Sequence, residues 1–288
     1  MRVFRGMSAA RVPSAVRAVL CCVPGAVAVG LLLMCALFAG PGASGAPGRA
    51  GDAPVAFAGL GERAGVTGRY PTMPAAAAPV RRAVGHPAVR PRVVPRAQWL
   101  AGAVREPPPA RYADRVQAVF VHHTDSPNSY DCADTPRIIR YLYAGQVEGR
   151  QWDDIGYNFL VDRCGTVYEG RAGGIDRAVV GAHTQGFNRE SVGIAAIGTF
   201  TAGVPVPRAM TDALAALAAW KLGLSDVDPR STVGLVSSHS LSKYPAGTSG
   251  HFSAVSGHND GYYTHCPGAA LTAALPAIRQ AAARLQNR

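Results

Sequence analysis

The segment Gly257–Gly268 reads GHNDGYYTHCPG and places two histidines and a cysteine in a turn-rich loop. An apolar pattern with helical spacing begins directly after its Pro-Gly ending. His258 and Cys266 are residue types that bind zinc, and a zinc site that carries out chemistry needs three protein ligands and an open position. The segment therefore predicts a metal site whose third ligand comes from another part of the chain.

The apolar run Val116–Val121 offers that ligand. It lacks a clean alternation of apolar and polar residues, which is typical of a strand covered on both faces. The run ends in His122 and His123. Side chains alternate along an extended chain, so these two histidines point to opposite faces and only one of them can face the site. For the same reason, His265 is expected to point away from the side that its neighbour Cys266 faces.

Strands and helices alternate along the rest of the chain. Buried apolar runs predict strands, and apolar residues at spacings of three and four predict helices. This interleaving predicts an α/β domain in which a central mixed β-sheet is flanked by helices on both sides. The sequence predicts a helix with Thr135 as N-cap and Pro136 at the first helical position, followed by a hairpin of Tyr157–Asp162 and Thr166–Glu169. It also predicts a strand over Val192–Ile197 and a helix from about Pro207 to Leu222. The last predicted helix has five apolar residues on its inner face: Leu271, Leu275, Ile278, Ala282 and Leu285.

The beginning of the chain has the layout of an export signal. Four arginines precede the apolar run Ala18–Ala39, and small residues follow it at Gly40–Ala46. This arrangement is typical of a signal peptide cleaved after Gly45 or Ala46. The apolar run is also long enough to span a bilayer, so an uncleaved membrane anchor remains open. Both interpretations place the rest of the chain outside the cytoplasm.

Residues 47–92 are rich in proline, alanine, glycine and arginine and have almost no apolar periodicity. Such a segment cannot bury enough apolar surface to offset the entropy lost on ordering, so we expect a flexible linker. The chain is thereby divided into a signal peptide or membrane anchor at 1–46, a disordered linker at 47–92 and a single folded domain at 93–288.

The charge distribution argues against a nucleic-acid-binding protein. The formal net charge is +11, but residues 1–92 hold 11 of the 29 lysines and arginines and only 2 of the 18 acidic residues. A nucleic-acid-binding domain usually carries its basic patch on the folded part. Here the excess lies in the tail, so we expect no nucleic-acid partner.

Several short motifs follow one another in a fixed order from about Val93 to the C-terminus. They are RAQW at Arg96–Trp99, VFVHHT at Val119–Thr124, DIGYNF at Asp154–Phe159, GTVYEGR at Gly165–Arg171, GAHTQGFN at Gly181–Asn188, VGIAAIGTF at Val192–Phe200 and the segment quoted first. With these motifs the chain resembles the peptidoglycan recognition protein and type 2 N-acetylmuramoyl-L-alanine amidase family, which includes phage T7 lysozyme. YPAGT at Tyr244–Thr248 resembles its secreted actinobacterial branch.

The resemblance implies a role for particular residues. It places the zinc ligands at His122, His258 and Cys266, which leaves the open fourth position of a catalytic site. It places the catalytic tyrosine at Tyr157 and, two residues before the cysteine, a catalytic hydroxyl at Thr264. A phenol or hydroxyl at these places can donate a hydrogen bond to the tetrahedral intermediate of amide hydrolysis.

The resemblance also implies a groove for the stem peptide of peptidoglycan. Arg171, His183 and Asn188 match positions that line this groove in the family. Arg171 could bind a substrate carboxylate with two hydrogen bonds. Two simpler interpretations remain open: an ordinary surface salt bridge for Arg171 and a turn cap for Asn188.

Cysteine usage fits the same picture. Three of the six cysteines lie in the export segment, which leaves Cys132, Cys164 and Cys266. An unpaired thiol is unusual in an exported protein unless something holds it. If Cys266 binds Zn²⁺, Cys132 and Cys164 are left to form a disulfide, whereas either other pairing strands a thiol.

We therefore expect a secreted or membrane-tethered, monomeric zinc amidase. It would hydrolyse the amide between the lactyl group of N-acetylmuramic acid and L-alanine in peptidoglycan. The alternative is a non-catalytic peptidoglycan-binding protein, as some members of the family are. Those members typically lack the zinc cysteine, which is present here at Cys266.

Overall fold

The computed structural model describes residues 85–100 and 106–288. The expected export segment and most of the expected linker lie outside the described residues. In chain order the elements are β1 (Val93–Val94), α1 (Arg96–Trp99), β2 (Ala118–His123), α2 (Thr135–Val147), β3 (Phe159–Val161), β4 (Val167–Glu169), β5 (Ser191–Ala196), α3 (Arg208–Gly223), β6 (Thr232–Val236), β7 (Ser249–Ser253), β8 (Val255–Gly257), α4 (His258–Gly261) and α5 (Ala269–Leu285).

Among the described residues, six strands form one mixed sheet in the order β1-β4-β3-β5-β2-β8. The hairpin β3–β4 is antiparallel, whereas β2 runs parallel to both β5 and β8. Val119 on β2 lies opposite Val192 on one side and Val255 on the other. The strand that carries His122 is therefore held by hydrogen bonds on both edges, which fixes the direction of its carboxyl end.

Helices cover both faces of this sheet, which confirms the predicted fold class. On one face, Val119 and Val121 of β2 pack in a core with apolar residues of α3 and α5 such as Leu217 and Leu271. On the other face, residues of α1, α2 and β3 form a separate buried cluster. Burial on both faces explains why the run in β2 shows no polar alternation.

Two details of the helices differ from the sequence-based expectation. The N-cap of α2 is Asp134, and Thr135 is the first helical residue. The Thr135 hydroxyl donates instead to the carboxylate of Asp162 at 3.2 Å, because the start of α2 packs against the end of β3. Leu285, expected on the inner face of the last helix, is half-exposed, since α5 ends at that residue.

The antiparallel ribbon β6–β7 was not predicted from the sequence. Its residues are largely exposed, but Phe252 of β7 is buried against Phe120 of β2 and Phe187, with ring centroids 5.3 Å and 4.7 Å away. Phe120 lies two residues before His122, so the two side chains are on the same face of β2. The ribbon therefore supports the strand that leads into the expected metal site.

A disulfide joins Cys132 and Cys164, the two cysteines expected to pair. It links the turn before α2 to the turn between β3 and β4. Cys266 is buried and keeps a free thiol.

Residues before Val93 also contact the domain. His86 lies 3.1 Å from the Asp226 carboxylate, and Arg90 pairs with Asp176. In the described ranges, no helix combines the length and apolar character needed to cross a bilayer.

Candidate active site

Three elements bring the expected metal ligands together. His122 is the fifth residue of β2 and is almost fully buried. His258 is the first residue of α4, which directly follows β8, the neighbour of β2 in the sheet. Cys266 lies in the loop between α4 and α5, and the carbonyl of this residue accepts a hydrogen bond from the backbone of Asn259. The parallel pairing of β2 and β8 thus places both histidines at the same edge of the sheet.

The ligand atoms of these three residues form one compact group. All lie within 4.8 Å of one another. Cys266 Sγ is 3.8 Å from Nδ1 of His122, and the two histidine rings have centroids 4.4 Å apart. The backbone N–H of His123 donates to Cys266 Sγ at 3.2 Å, which directs a hydrogen-bond donor at the sulfur.

The two imidazoles have the protonation state that a divalent cation needs, whereas the thiol would lose its proton on binding one. Burial is the main reason that the pKa of His122 lies well below its usual value, and the nearby His258 lowers it further. Burial also lowers the pKa of His258 to about 4, so both imidazoles are neutral and can offer a nitrogen lone pair. Burial raises the pKa of the Cys266 thiol to about 12 when no cation is present. Two imidazoles and one sulfur form a donor set that zinc accepts in catalytic sites, so these residues fit the ion.

The neighbouring histidines lie outside this group, as the alternation argument predicted. His265 is exposed. His123 is half-buried on the opposite face of β2, and its Nδ1 finds no hydrogen-bond partner within the described part of the chain. Neither belongs to the group of ligand atoms around Cys266.

Tyr157 lies beside the ligand group. Its ring centroid is 5.2 Å from that of His122, and the residue is partly exposed. Burial of the hydroxyl raises the pKa of Tyr157 above its usual value, and the nearby Cys266 raises it further. The phenol therefore keeps its proton at neutral pH and can act as a hydrogen-bond donor.

Thr264 is half-buried on the loop that carries Cys266. Its Oγ1 accepts a hydrogen bond from the backbone N–H of Cys266 at 3.1 Å. This contact fixes the side chain and uses only an acceptor site, so the hydroxyl proton can be donated to another group.

The structure gives His183 a different environment from the expected substrate groove. Its ring is buried, and Nδ1 lies 3.2 Å from Nε2 of His122, behind the ligand group. Asn188 Oδ1 accepts hydrogen bonds from the backbone N–H groups of His183 and Thr184, at 2.7 Å and 2.9 Å. This geometry is that of the turn cap considered for Asn188.

Arg171 borders an open cavity of about 300 Å³. Its guanidinium donates to the carbonyl of Ile155 at 3.2 Å, and burial lowers the pKa of the group. Arg111 and Asp153 also line the cavity, so it contains charges of both signs. The backbone N–H of Arg171 donates to the carbonyl of Tyr157, which connects the cavity wall to the ligand group.

One residue next to the site was not singled out from the sequence. The Tyr262 ring stacks on His258 with a centroid distance of 5.5 Å and an interplanar angle of 15°. Its position in the GYYT part of the opening segment is the only signal that could have indicated it.

Residues 112–269, more than half of the chain, match the sequence profile of the family described as N-acetylmuramoyl-L-alanine amidase. Peptidoglycan-recognition protein LE of Drosophila melanogaster is 40% identical over 119 residues, which are 41% of this chain and 33% of that protein. The N-acetylmuramoyl-L-alanine amidase of Mus musculus is 31% identical over 189 residues, 63% of this chain and 29% of that protein. The chain thus spans about a third of the length of these curated relatives.

The fold is similar to that of a solved structure, PGRP-SA of Apis mellifera. The two share 22% identity with a TM-score of 0.50, over 64% of this chain and 94% of that chain. This similarity concerns the fold alone.

Proposed function

Because the chain belongs to the peptidoglycan recognition protein and N-acetylmuramoyl-L-alanine amidase family, we propose that it is a zinc-dependent amidase. Its substrate would be the amide between the lactyl group of N-acetylmuramic acid and L-alanine in peptidoglycan. The observation that carries the proposal is the convergence of His122, His258 and Cys266, whose ligand atoms lie within 4.8 Å of one another. Three protein ligands are the number found in catalytic zinc sites.

A bound zinc ion supplies a Lewis acid that polarises the amide carbonyl and makes water more acidic. The chain supplies the rest. Tyr157 sits beside His122 with its phenol protonated, and its role is to donate a hydrogen bond to the oxygen on which negative charge develops. Such donors stabilise the transition state more than the ground state, because the charge is largest there.

Thr264 is the second hydroxyl assigned a role. Its Oγ1 accepts a hydrogen bond from the backbone N–H of Cys266, which holds the hydroxyl in place. The hydroxyl can then donate its own proton to an oxygen of the substrate. The role assigned to Thr264 is orientation of the scissile amide and stabilisation of the developing oxyanion.

The substrate side of the proposal concerns the cavity beside Arg171. A guanidinium can bind a carboxylate with two parallel hydrogen bonds, and stem peptides carry carboxylates. The role assigned to Arg171 is to bind the stem peptide, with Asn188 shaping the turn that precedes β5.

We propose that the protein acts on peptidoglycan outside the cytoplasm. It would do so either as a secreted monomer or while tethered to the membrane by its N-terminal segment.

The second candidate function is non-catalytic binding of peptidoglycan. It is favoured by the similarity to a protein named as a recognition protein, with 40% identity over 119 residues. This function needs the groove but neither the metal ligands nor Tyr157.

The experiment that separates the two uses the full chain loaded with zinc. Purified protein is incubated with insoluble peptidoglycan, and released stem peptides are measured by mass spectrometry. Wild type is expected to release peptides that begin with L-alanine. Cys266→Ser is expected to bind zinc more weakly and to release none, while it still sediments with peptidoglycan.

Protein that carries zinc, sediments with peptidoglycan and releases no peptide would contradict the amidase proposal and support the binder. Zinc must be measured in the same samples, since protein without metal would imitate a binder.

A further inference from the structure

His183 is almost fully buried, yet it reaches a metal ligand. Its Nδ1 lies 3.2 Å from Nε2 of His122, while the other ring nitrogen of His122, Nδ1, lies 3.8 Å from Cys266 Sγ. The His122 imidazole is therefore placed between two partners. One nitrogen faces the ligand group, and the opposite nitrogen faces His183.

The backbone leaves a slot for the His183 ring. A Cβ atom added at Gly193 on β5 would lie 2.3 Å from the Cγ of this ring, and one added at Gly181 would lie 2.6 Å from its Cδ2. Real Cβ atoms do not approach so closely, so only glycines allow the ring to lie there. The absence of a side chain at both positions thus makes room for the imidazole.

The far side of the ring is also held. Nε2 of His183 lies 3.5 Å from the Ser191 hydroxyl, and that hydroxyl donates to the carbonyl of Phe187 at 2.5 Å. The Thr184 hydroxyl lies 3.0 Å from His183 Nδ1 and 3.4 Å from His122 Nε2.

The protons can be assigned so that His122 donates directly to His183, whose Nδ1 at 3.2 Å is nearer to His122 Nε2 than the Thr184 hydroxyl at 3.4 Å. A neutral imidazole has one N–H, and a nitrogen that binds a metal has no proton. If Nδ1 of His122 faces the metal, its Nε2 carries the proton and must donate it. His183 then accepts at Nδ1 and donates from Nε2 to Ser191, whose own proton goes to a carbonyl.

From this geometry we infer that His183 is a positioning residue for His122. By accepting the Nε2 proton it selects the tautomer and the ring orientation in which Nδ1 faces Cys266 and His258. The inference rests on the metal site of the proposed function but not on the reaction. Partners that orient a metal-binding histidine typically affect metal affinity by about 10- to 100-fold when they are removed.

The test compares two variants of nearly equal size by zinc affinity. In His183→Asn, the side-chain oxygen can occupy the place of Nδ1 and still accept the proton. In His183→Leu, the slot is filled but the acceptor is lost. We expect His183→Leu to weaken zinc binding by about 10- to 100-fold and His183→Asn by about threefold or less, as measured by competition with a chromophoric chelator.

Circular dichroism shows whether His183→Leu is folded. If it is not, a comparison of His183→Gln with His183→Asn still decides the test. His183→Gln carries its amide to the place of Nε2 and should therefore weaken zinc binding more than His183→Asn. The exposed His251 serves as a control, and His251→Asn should leave the affinity unchanged.

Equal zinc affinity of wild type and folded His183→Leu, or of the Asn and Gln variants, would overturn the inference. A loss of affinity confined to Thr184→Val would also overturn it, because the Thr184 hydroxyl would then be the partner of His122. Wild-type protein that binds no zinc would overturn both this inference and the proposed function. Wild type that binds zinc but lacks amidase activity would overturn only the function.

Discussion

At the scale of single residues, Tyr157 offers the sharpest separation of chemistry from binding. Tyr157→Phe removes one hydroxyl and little volume from a ring that lies 5.2 Å from His122. If the phenol donates to the developing oxyanion, turnover should fall by about a hundredfold or more. The measurement is the rate of stem-peptide release from peptidoglycan at saturating zinc.

Zinc content and sedimentation with peptidoglycan should stay at wild-type levels in Tyr157→Phe. A variant with an unchanged rate would remove Tyr157 from the mechanism. A variant that loses zinc would show instead that the ring supports the ligand group.

Lys221 supplies a prediction about pH. It is buried near the end of α3, and Nζ donates to the carbonyls of Ile175 and Arg177 at 2.7 Å and 3.0 Å. Burial lowers the pKa of Lys221 to about 8, although the nearby Asp176 opposes this shift. In the unfolded chain the pKa of a lysine is about 10.4. Between these two values the unfolded state binds more protons, so the free energy of unfolding should rise with pH.

Lys221→Met removes this titration and leaves the other groups in place. The stability of wild type relative to Lys221→Met should therefore increase by about 2 kcal/mol between pH 7.5 and pH 10. Urea unfolding of both proteins at the two pH values measures the difference. A difference that does not change with pH would contradict the lowered pKa.

The residues of the site differ in how far the sequence could predict them. His122, His258 and Cys266 were predictable because each belongs to a motif. The contact of His183 with His122 was not, since it depends on which residues of β5 leave room for its ring. Nor was the burial of Lys221, because a lysine close to the end of a helix would normally be expected to face solvent.

At the scale of elements, the Cys132–Cys164 disulfide ties the start of α2 to the β3–β4 turn. The two cysteines are 32 residues apart. In the chain-entropy model, closing a loop of this size stabilises the fold by about 4 kcal/mol. Replacing both cysteines by serine should lower the free energy of unfolding by about that amount in urea titrations.

The zinc content of this double variant should not change, because Cys266 is the only cysteine in the ligand group that contains His122. Peptide mapping without reduction should show the two cysteine peptides linked in wild type. A disulfide that includes Cys266 in zinc-loaded protein would contradict both the pairing and the metal site.

The ribbon β6–β7 shows why some elements escaped prediction. Many residues of its strands are exposed, and Gly250 occupies an inward position, so only Val233, Leu235 and Phe252 give the ribbon an apolar face. Of these side chains, Phe252 packs on Phe120 of a distant strand. By contrast, β2 and α3 carry long apolar patterns of their own, and their predicted bounds are within a few residues of those observed.

At the scale of the whole molecule, metal binding and folding should be linked, because the ligands come from separate parts of the chain. An ion that binds only the folded state stabilises it by about 2.7 kcal/mol at a free concentration 100 times its Kd. For a domain of this size, zinc should therefore raise Tm by about 5 to 10 °C, as measured by differential scanning calorimetry.

A chelator should reverse this rise, and magnesium should not reproduce it, because magnesium prefers oxygen ligands. His122→Ala and His258→Ala should show a much smaller response to zinc. An equal rise of Tm in wild type and in both variants would place zinc somewhere other than the predicted site.

The pairing of Val119 with Val255 also bears on the order of folding events. Contacts between segments far apart in sequence form slowly, because the entropy of closing the long loop is lost before the contacts are made. His122 and His258 directly follow the two strands that meet in this way, so their ring nitrogens approach one another only after β8 has docked on β2. Uptake of zinc during refolding would therefore mark a late stage of folding. Before β8 has docked, the chain has the thiol and the two imidazoles, but they are too far apart to form a ligand set.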